Sequence, residues 1–253
     1  MAMNDSLAVL TVVAVVVILL LLQWRRVRRG IVPGLRPHRA YQSLQQQMGR
    51  SVESGQRLHI TPGRGELQSP QGPASVAGLG ALAEVAAESS ESGIAPLISV
   101  GAGTLLPAAQ GAVRRAYEAA GRGATYQPGD THFLADRAFP FVYAAGATLL
   151  ANQADVGSNV ALGHFGSELG VLAEAGQRRD PEQILGSDDP TASAIAAAFT
   201  ANAVWGEELF AARAYLGRAP LQLASLRTQD VLRWLVAILV LAAAVLGALG
   251  ILG

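Results

Sequence analysis

The sequence predicts an α/β domain carried between two apolar helices. Three observations predict it: short apolar runs alternate with alanine-rich helical stretches through the middle, an uncharged hydrophobic segment stands near each end, and arginine is concentrated beside those segments. The apolar runs lie at 57–61, 96–100, 132–135, 159–162 and 183–185. The helical stretches lie at about 74–91, 104–121, 139–153, 167–178 and 191–216. Strands separated by helices of this length pair in parallel through right-handed crossovers. Runs without polar alternation fit strands covered on both faces. The expected architecture is therefore an open, mostly parallel three-layer (Rossmann-like) sheet of about five strands, of undetermined strand order. Ser167 and Glu168 open the fourth helix, Pro190 and Thr191 open the last long one, and Gly217 ends it.

Residues 7–22 are apolar except for Thr11, and Gln23 and Trp24 mark the boundary that follows. Residues 235–252 carry no charge and follow Arg233 and Trp234. Each approaches the ~20 residues that a bilayer core requires. The first is not read as a cleaved signal peptide, because no side-chain cation precedes it and no small-residue cleavage site follows. Arg25, Arg26, Arg28, Arg29, Arg36 and Arg39 follow the first segment, and Arg218, Arg227 and Arg233 precede the second. Under the positive-inside rule both ends predict a cytoplasmic middle and extracytoplasmic termini, in the cell membrane. The expected layout is an extracytoplasmic start (1–6), a first span (7–24), a basic linker with a membrane-proximal helix (25–56), the cytoplasmic α/β domain (57–217), a return linker (218–233) and a second span (234–253). In the second span Ala243, Gly247 and Gly250 are small enough to let another helix approach.

Composition excludes several chemistries. The chain has no cysteine, so it has no disulfide, thiolate metal site or cysteine nucleophile. All 19 basic residues are arginine, which rules out a P-loop lysine or a Schiff base. Residues 41–217 hold ten arginines against seventeen acids, a net of −7, the wrong sign for binding nucleic acid. No H-E-x-x-H, G-x-S-x-G or other complete catalytic or metal-binding pattern occurs. The sequence names no cofactor.

Three stretches, AYQSLQQQMGRSVESGQRLHI, TLLPAAQGAVRRAYEAAGR and GEELFAARAYLGRAPLQLASLRTQDVLRW, resemble an uncharacterised bacterial membrane-protein family classed as a domain of unknown function. The similarity covers most of 38–234. It implies two terminal membrane helices around an α/β domain, and it brings no activity or catalytic residue with it.

In open parallel sheets ligands bind at the carboxyl ends of strands. The loops there offer Arg64 between two glycines, Gly101 and Gly103 before Thr104, Asp136, and Gly163, His164 and Ser167. The 101–104 turn at a helix start suits an anion, although glycines serve such turns with or without a ligand. Arg64 suits a phosphate or carboxylate, or it is solvated. His164 stands where a general acid or base belongs, or it caps a helix. Asp136 and the pair Asp188 and Asp189 are possible cation ligands, or ordinary turn residues. His59 and His132 fall within strand runs and are read as structural. Three functions are expected in descending order: a membrane-anchored homo-oligomeric scaffold or assembly protein, a sensor of a small anionic ligand or nucleotide, and a hydrolase or transferase using His164 with Asp136 or Asp188.

Overall fold

The structure, a computed structural model, describes residues 2–31, 34–178, 182–217 and 220–248. In chain order its elements are α1 (Ala2–Arg28), α2 (Arg39–Ser54), β1 (Arg57–Gly63), α3 (Gly72–Ser92), β2 (Leu97–Val100), α4 (Leu105–Ala119) and β3 (Thr131–Phe133). There follow α5 (Pro140–Ala151), β4 (Val156–His164), α6 (Leu169–Gln177), β5 (Ile184–Ser187), α7 (Pro190–Phe199), β6 (Ala203–Trp205), α8 (Ala212–Leu216) and α9 (Pro220–Ala248). They form two compact units, one of Met1–Leu35 with Arg218–Gly253 and one of Arg36–Gly217.

The first unit holds α1 and α9. Within them, Val9–Arg28 and Pro220–Val245 are long and apolar enough to cross a membrane. Their Leu10, Val12, Ile238 and Leu241 side chains are exposed, so protein packing does not account for their composition. Arg25, Arg26 and Arg28 close α1, where cations suit the partial negative charge of a helix end. Residues 249–253, including Gly250 of the small-residue series, lie outside the described residues.

The second unit is built on a six-stranded, all-parallel sheet in the order β3-β2-β1-β4-β5-β6. Side-chain alternation along the strands divides the core in two. Leu58, Ile60, Val160, Leu162 and Ile184 join α2, α3, α4 and α8 in one hydrophobic cluster. Ala161 and Leu185 join α5, α6 and α7 in the other. Helices therefore flank both faces, as expected. The helix that the sequence placed beside the membrane, α2, is part of this unit: Tyr41 and Leu44 are fully buried, and the Tyr41 hydroxyl donates to the Glu208 carbonyl at 2.6 Å.

One expectation is corrected. The single helix expected at 191–216 is instead α7, β6, a short 3-10 helix (Gly206–Ala211) and α8, so the sheet has six strands. Thr200 breaks the helix by turning extended (φ −147°, ψ 146°). Its hydroxyl donates to the Gln183 carbonyl at 2.8 Å and accepts from the Asn202 backbone N–H at 3.1 Å. A tertiary contact of a small polar residue thus outweighs a run of alanine-rich helix propensity.

The centre of the sheet depends on close backbone approach. A Cβ at Gly78 of α3 would stand 2.0 Å from the Leu162 carbonyl oxygen and 2.9 Å from Pro62 Cα. A Cβ at Gly103 would meet nothing within 4 Å. Gly78→Ala is therefore expected to destabilise the protein by about 1–3 kcal/mol or more, and Gly103→Ala to stay within about 0.5 kcal/mol of wild type. Denaturant melts of the two variants check this; equal midpoints would contradict the packing described.

Candidate functional site

The strand order reverses between β1 and β4, so the loops leaving these two neighbours run to opposite sides of the sheet. In open parallel sheets that is where a crevice forms at the carboxyl edge. Gly63 ends β1 with φ +83°, and a Cβ there would stand 2.3 Å from the His164 carbonyl oxygen. A Cβ at Gly163 would be 2.0 Å from the Pro62 carbonyl oxygen. Glycine at both positions lets the two chains close up, and the Arg64 N–H then donates to the His164 carbonyl at 3.1 Å.

An ion pair and a histidine–carboxylate contact stand at this junction. Arg64 Nε donates to Glu168 Oε1 at 2.5 Å, and the Glu168 side chain is only 2% exposed. Glu168 Oε1 also accepts from the Gly166 N–H at 2.8 Å. Arg64 is thus held in one orientation by a buried carboxylate and is not a freely solvated loop residue. His164 Nδ1 lies 2.7 Å from Asp188 Oδ1. Because a carboxylate only accepts, Nδ1 carries the proton. His164 Nε2 has no hydrogen-bond partner among the described residues. A carboxylate that fixes the tautomer and leaves the other nitrogen open is the arrangement required of a histidine that exchanges protons or binds a polar group.

The other expected residues divide. Gly101 belongs to the junction: a Cβ there would fall 2.7 Å from Arg64 Cβ and 2.8 Å from Tyr143 Cδ2. Thr104 uses its hydroxyl to accept from the Leu67 N–H at 3.3 Å, which ties down the loop after β1. Gly103 faces open space and Ser167 is exposed. Asp136 accepts from the Ala138 N–H at 3.1 Å and so is engaged within its own turn. Asp189 caps α7 by accepting from the Ala192 N–H at 3.0 Å. Among the described residues no group of three or more His, Asp or Glu is placed to hold a metal ion. Glu168 was visible in the sequence only as a helix-opening residue, and Tyr143 had no signal at all.

Beneath the junction a row of polar side chains crosses the sheet. His59 is fully buried; its Nδ1 donates to Asn159 Oδ1 at 2.8 Å and its Nε2 accepts from the Ser99 hydroxyl at 2.9 Å. Asn159 Nδ2 donates to Gln183 Oε1 at 3.4 Å, and Gln183 Nε2 donates to the Ala173 carbonyl at 2.7 Å. Thr61 and the buried Tyr143 share a further hydroxyl contact. Burial pushes the His59 pKa down from 6.5 to about 4. Burial also raises the Tyr143 pKa, so its hydroxyl stays protonated.

Open clefts also occur at the opposite, amino-terminal edge of the sheet, where the strand-end rule does not point. One of about 740 Å³ is lined by Arg50, Glu53, Gln56, Gly157 and Glu182. Another of about 600 Å³ is lined by Arg57, Tyr117, Arg122 and Asp130. Arg57 is committed there, donating to the Ala95 carbonyl at 2.8 Å and to Asp130 at 2.5 Å.

A family model described as a domain of unknown function, DUF6754, matches residues 2–252. The chain belongs to this family. The DUF6754 match spans all three stretches on which the resemblance rested. No curated protein and no solved structure matches the chain. DUF6754 membership therefore brings no substrate with it, and the chemistry of the junction is read from its own atoms.

Two outcomes follow for the junction and the row beneath it. Arg64→Ala leaves Glu168 buried without a counter-charge and is expected to cost about 3–5 kcal/mol. Adding Glu168→Gln should recover much of that loss in denaturant melts. His59 is held neutral in the fold, so its contribution is complete above pH 6.5 and is lost as pH falls through about 4. Wild type should lose up to about 3 kcal/mol across that window from this group, and His59→Gln should flatten the slope.

Proposed function

We propose that this DUF6754 protein is a membrane-tethered α/β domain that binds a small polar ligand bearing an anionic group at the β1–β4 junction. The observation that carries the reading is the pairing there of Arg64 with Glu168 and of His164 with Asp188. Each carboxylate orients its partner, and the two cationic or polar heads come from adjacent loops. The strand order is the one that nucleotide-binding, Rossmann-like sheets use around the same reversal. Arg64 already has a counter-charge and residues 41–217 carry −7, which favours a singly charged ligand over a polyphosphate or nucleic acid.

The two apolar helices are read as spans, and the arginines beside them support a cytoplasmic α/β unit with both termini outside. The hydrolase or transferase alternative gains the 2.7 Å contact between His164 and Asp188, but the Ser187 hydroxyl, 3.4 Å from the same Asp188 oxygen, is fully buried and engaged by the Phe165 backbone. Self-assembly draws on a different surface, the outward side of α5.

Thermal melts of the detergent-solubilised chain test the ligand reading, with inorganic phosphate, a nucleoside monophosphate and a dicarboxylate as probes. At a hundredfold excess over Kd a bound probe should stabilise by about 2.7 kcal/mol, a rise of roughly 5–10 °C. His164→Ala and Asp188→Asn should abolish that rise. If no probe shifts wild type, or if the variants respond like wild type, the reading fails.

A further inference from the structure

The helix α5 is apolar on both sides. Tyr143, Ala144, Ala147 and Ala151 are buried and face the core. Phe141, Val142, Ala145 and Leu149 recur at helical spacing on the outward side and are exposed. The exposure is large: 57% for Phe141, 59% for Val142 and 73% for Leu149, with Phe139 adding 60% just before the helix. A surface helix ordinarily carries charge outward, as α4 does with its exposed Arg114 and Glu118. Neither α5 nor α7 contains a charged residue, and α7 adds exposed Ala194, Ala197 and Ala198. The α5 face, with Phe139 beside it, is an exposed apolar patch of the kind that marks an interaction surface.

We propose that this face of α5 docks on the same face of a second copy of the chain, the two helices running antiparallel about a two-fold axis. Charge selects the occupant. Residues 41–217 carry −7, so two copies repel through most of their surface and meet without repulsion at an uncharged face. The neighbouring α6 bears Glu174 and Arg178, an exposed pair one helical turn apart. Antiparallel pairing sets each copy's acid toward the other's base, the self-complementarity that a two-fold contact requires. An anionic lipid surface is the poorer match. Among the described residues, the exposed arginines flanking the helices here, Arg137 and Arg178, are already paired with Glu66 and Glu174, which leaves no net positive charge to meet headgroups. The proposal is independent of any ligand at the β1–β4 junction.

The chain has no cysteine, so single-cysteine variants report one position each. In the full chain in nanodiscs loaded with two copies, Ala145→Cys should form a disulfide-linked dimer under mild oxidation. Val76→Cys, also exposed but on the opposite helix layer, should not. In detergent, mass photometry should show dimers for wild type and at least a tenfold loss of dimer for Leu149→Asp, whose circular dichroism spectrum should match wild type because the side chain is exposed in the single chain. Three results would overturn the proposal: a wild-type monomer, equal cross-linking at both positions, or dimers that persist in Leu149→Asp. A fourth is a fluorophore on Ala145→Cys that enters an apolar environment in anionic vesicles at one copy per vesicle, which would assign the face to lipid.

Discussion

The α/β unit depends on how closely β1 and β4 approach at their carboxyl ends. These strands are about a hundred residues apart in the chain, yet they are the central pair of the sheet, aligned from Arg57 opposite Val156 to Gly63 opposite His164. Gly63, Gly163 and Gly78 each sit where a Cβ would come within 2.3 Å of a carbonyl oxygen of the other strand or of the strand beneath the helix. With glycine at these three positions, β4 closes on β1 and α3 rests directly over both. The backbone bond from Arg64 to His164 is a product of that closure, and so is the convergence of the two loops that carry these paired side chains. The candidate site is therefore an outcome of packing at the centre of the sheet.

The polar row below the junction gives the sheet its pairing specificity. An apolar strand slipped by one residue would still bury apolar surface, but a slipped β1 would strand the imidazole of His59 and the amide of Asn159 without partners. An unsatisfied buried polar group costs about 1–3 kcal/mol, so two or three of them are comparable to the whole margin of a folded domain. In the native register His59 is opposite Asn159, with Ser99 on one side and Gln183 on the other. One chain of hydrogen bonds thus runs across β2, β1 and β4 to the start of β5. That chain needs a neutral histidine whose Nδ1 bears the proton, and the dry surroundings enforce the neutral form.

Alternation of apolar runs with helical stretches was enough to read the α/β class, the parallel pairing and five of the six strands, because each signal is local. β6 was lost because Ala203, Val204 and Trp205 follow an alanine-rich helix with only Thr200 to break it, and Thr200 acts through the distant Gln183 carbonyl. The site was half legible. Strand-end position picked out His164, Asp188 and Arg64, but strand order is not written in periodicity. Nothing in the sequence therefore said that the loops of β1 and β4 would meet while Gly103 and Ser167 would stand apart. Glu168 looked like a helix-opening residue because its role as the counter-charge of Arg64 spans 104 positions.

One helix links the two proposed surfaces. The inner side of α5 supplies Tyr143, which packs beside Gly101 and contacts Thr61 directly under the junction. The outer side supplies Phe141, Val142 and Leu149. The turn that leads into α5 offers the Arg137 carbonyl to Arg64 Nη1 at 3.5 Å, so the start of the helix and the oriented guanidinium share a contact. A rigid twelve-residue helix cannot shift on one side alone. A ligand that draws on Arg64 and a second copy seated on Phe141 would therefore act on the same element, and linkage makes any such influence reciprocal. On this view the uncharged outer face and the paired charges of the junction are two ends of a single mechanical part.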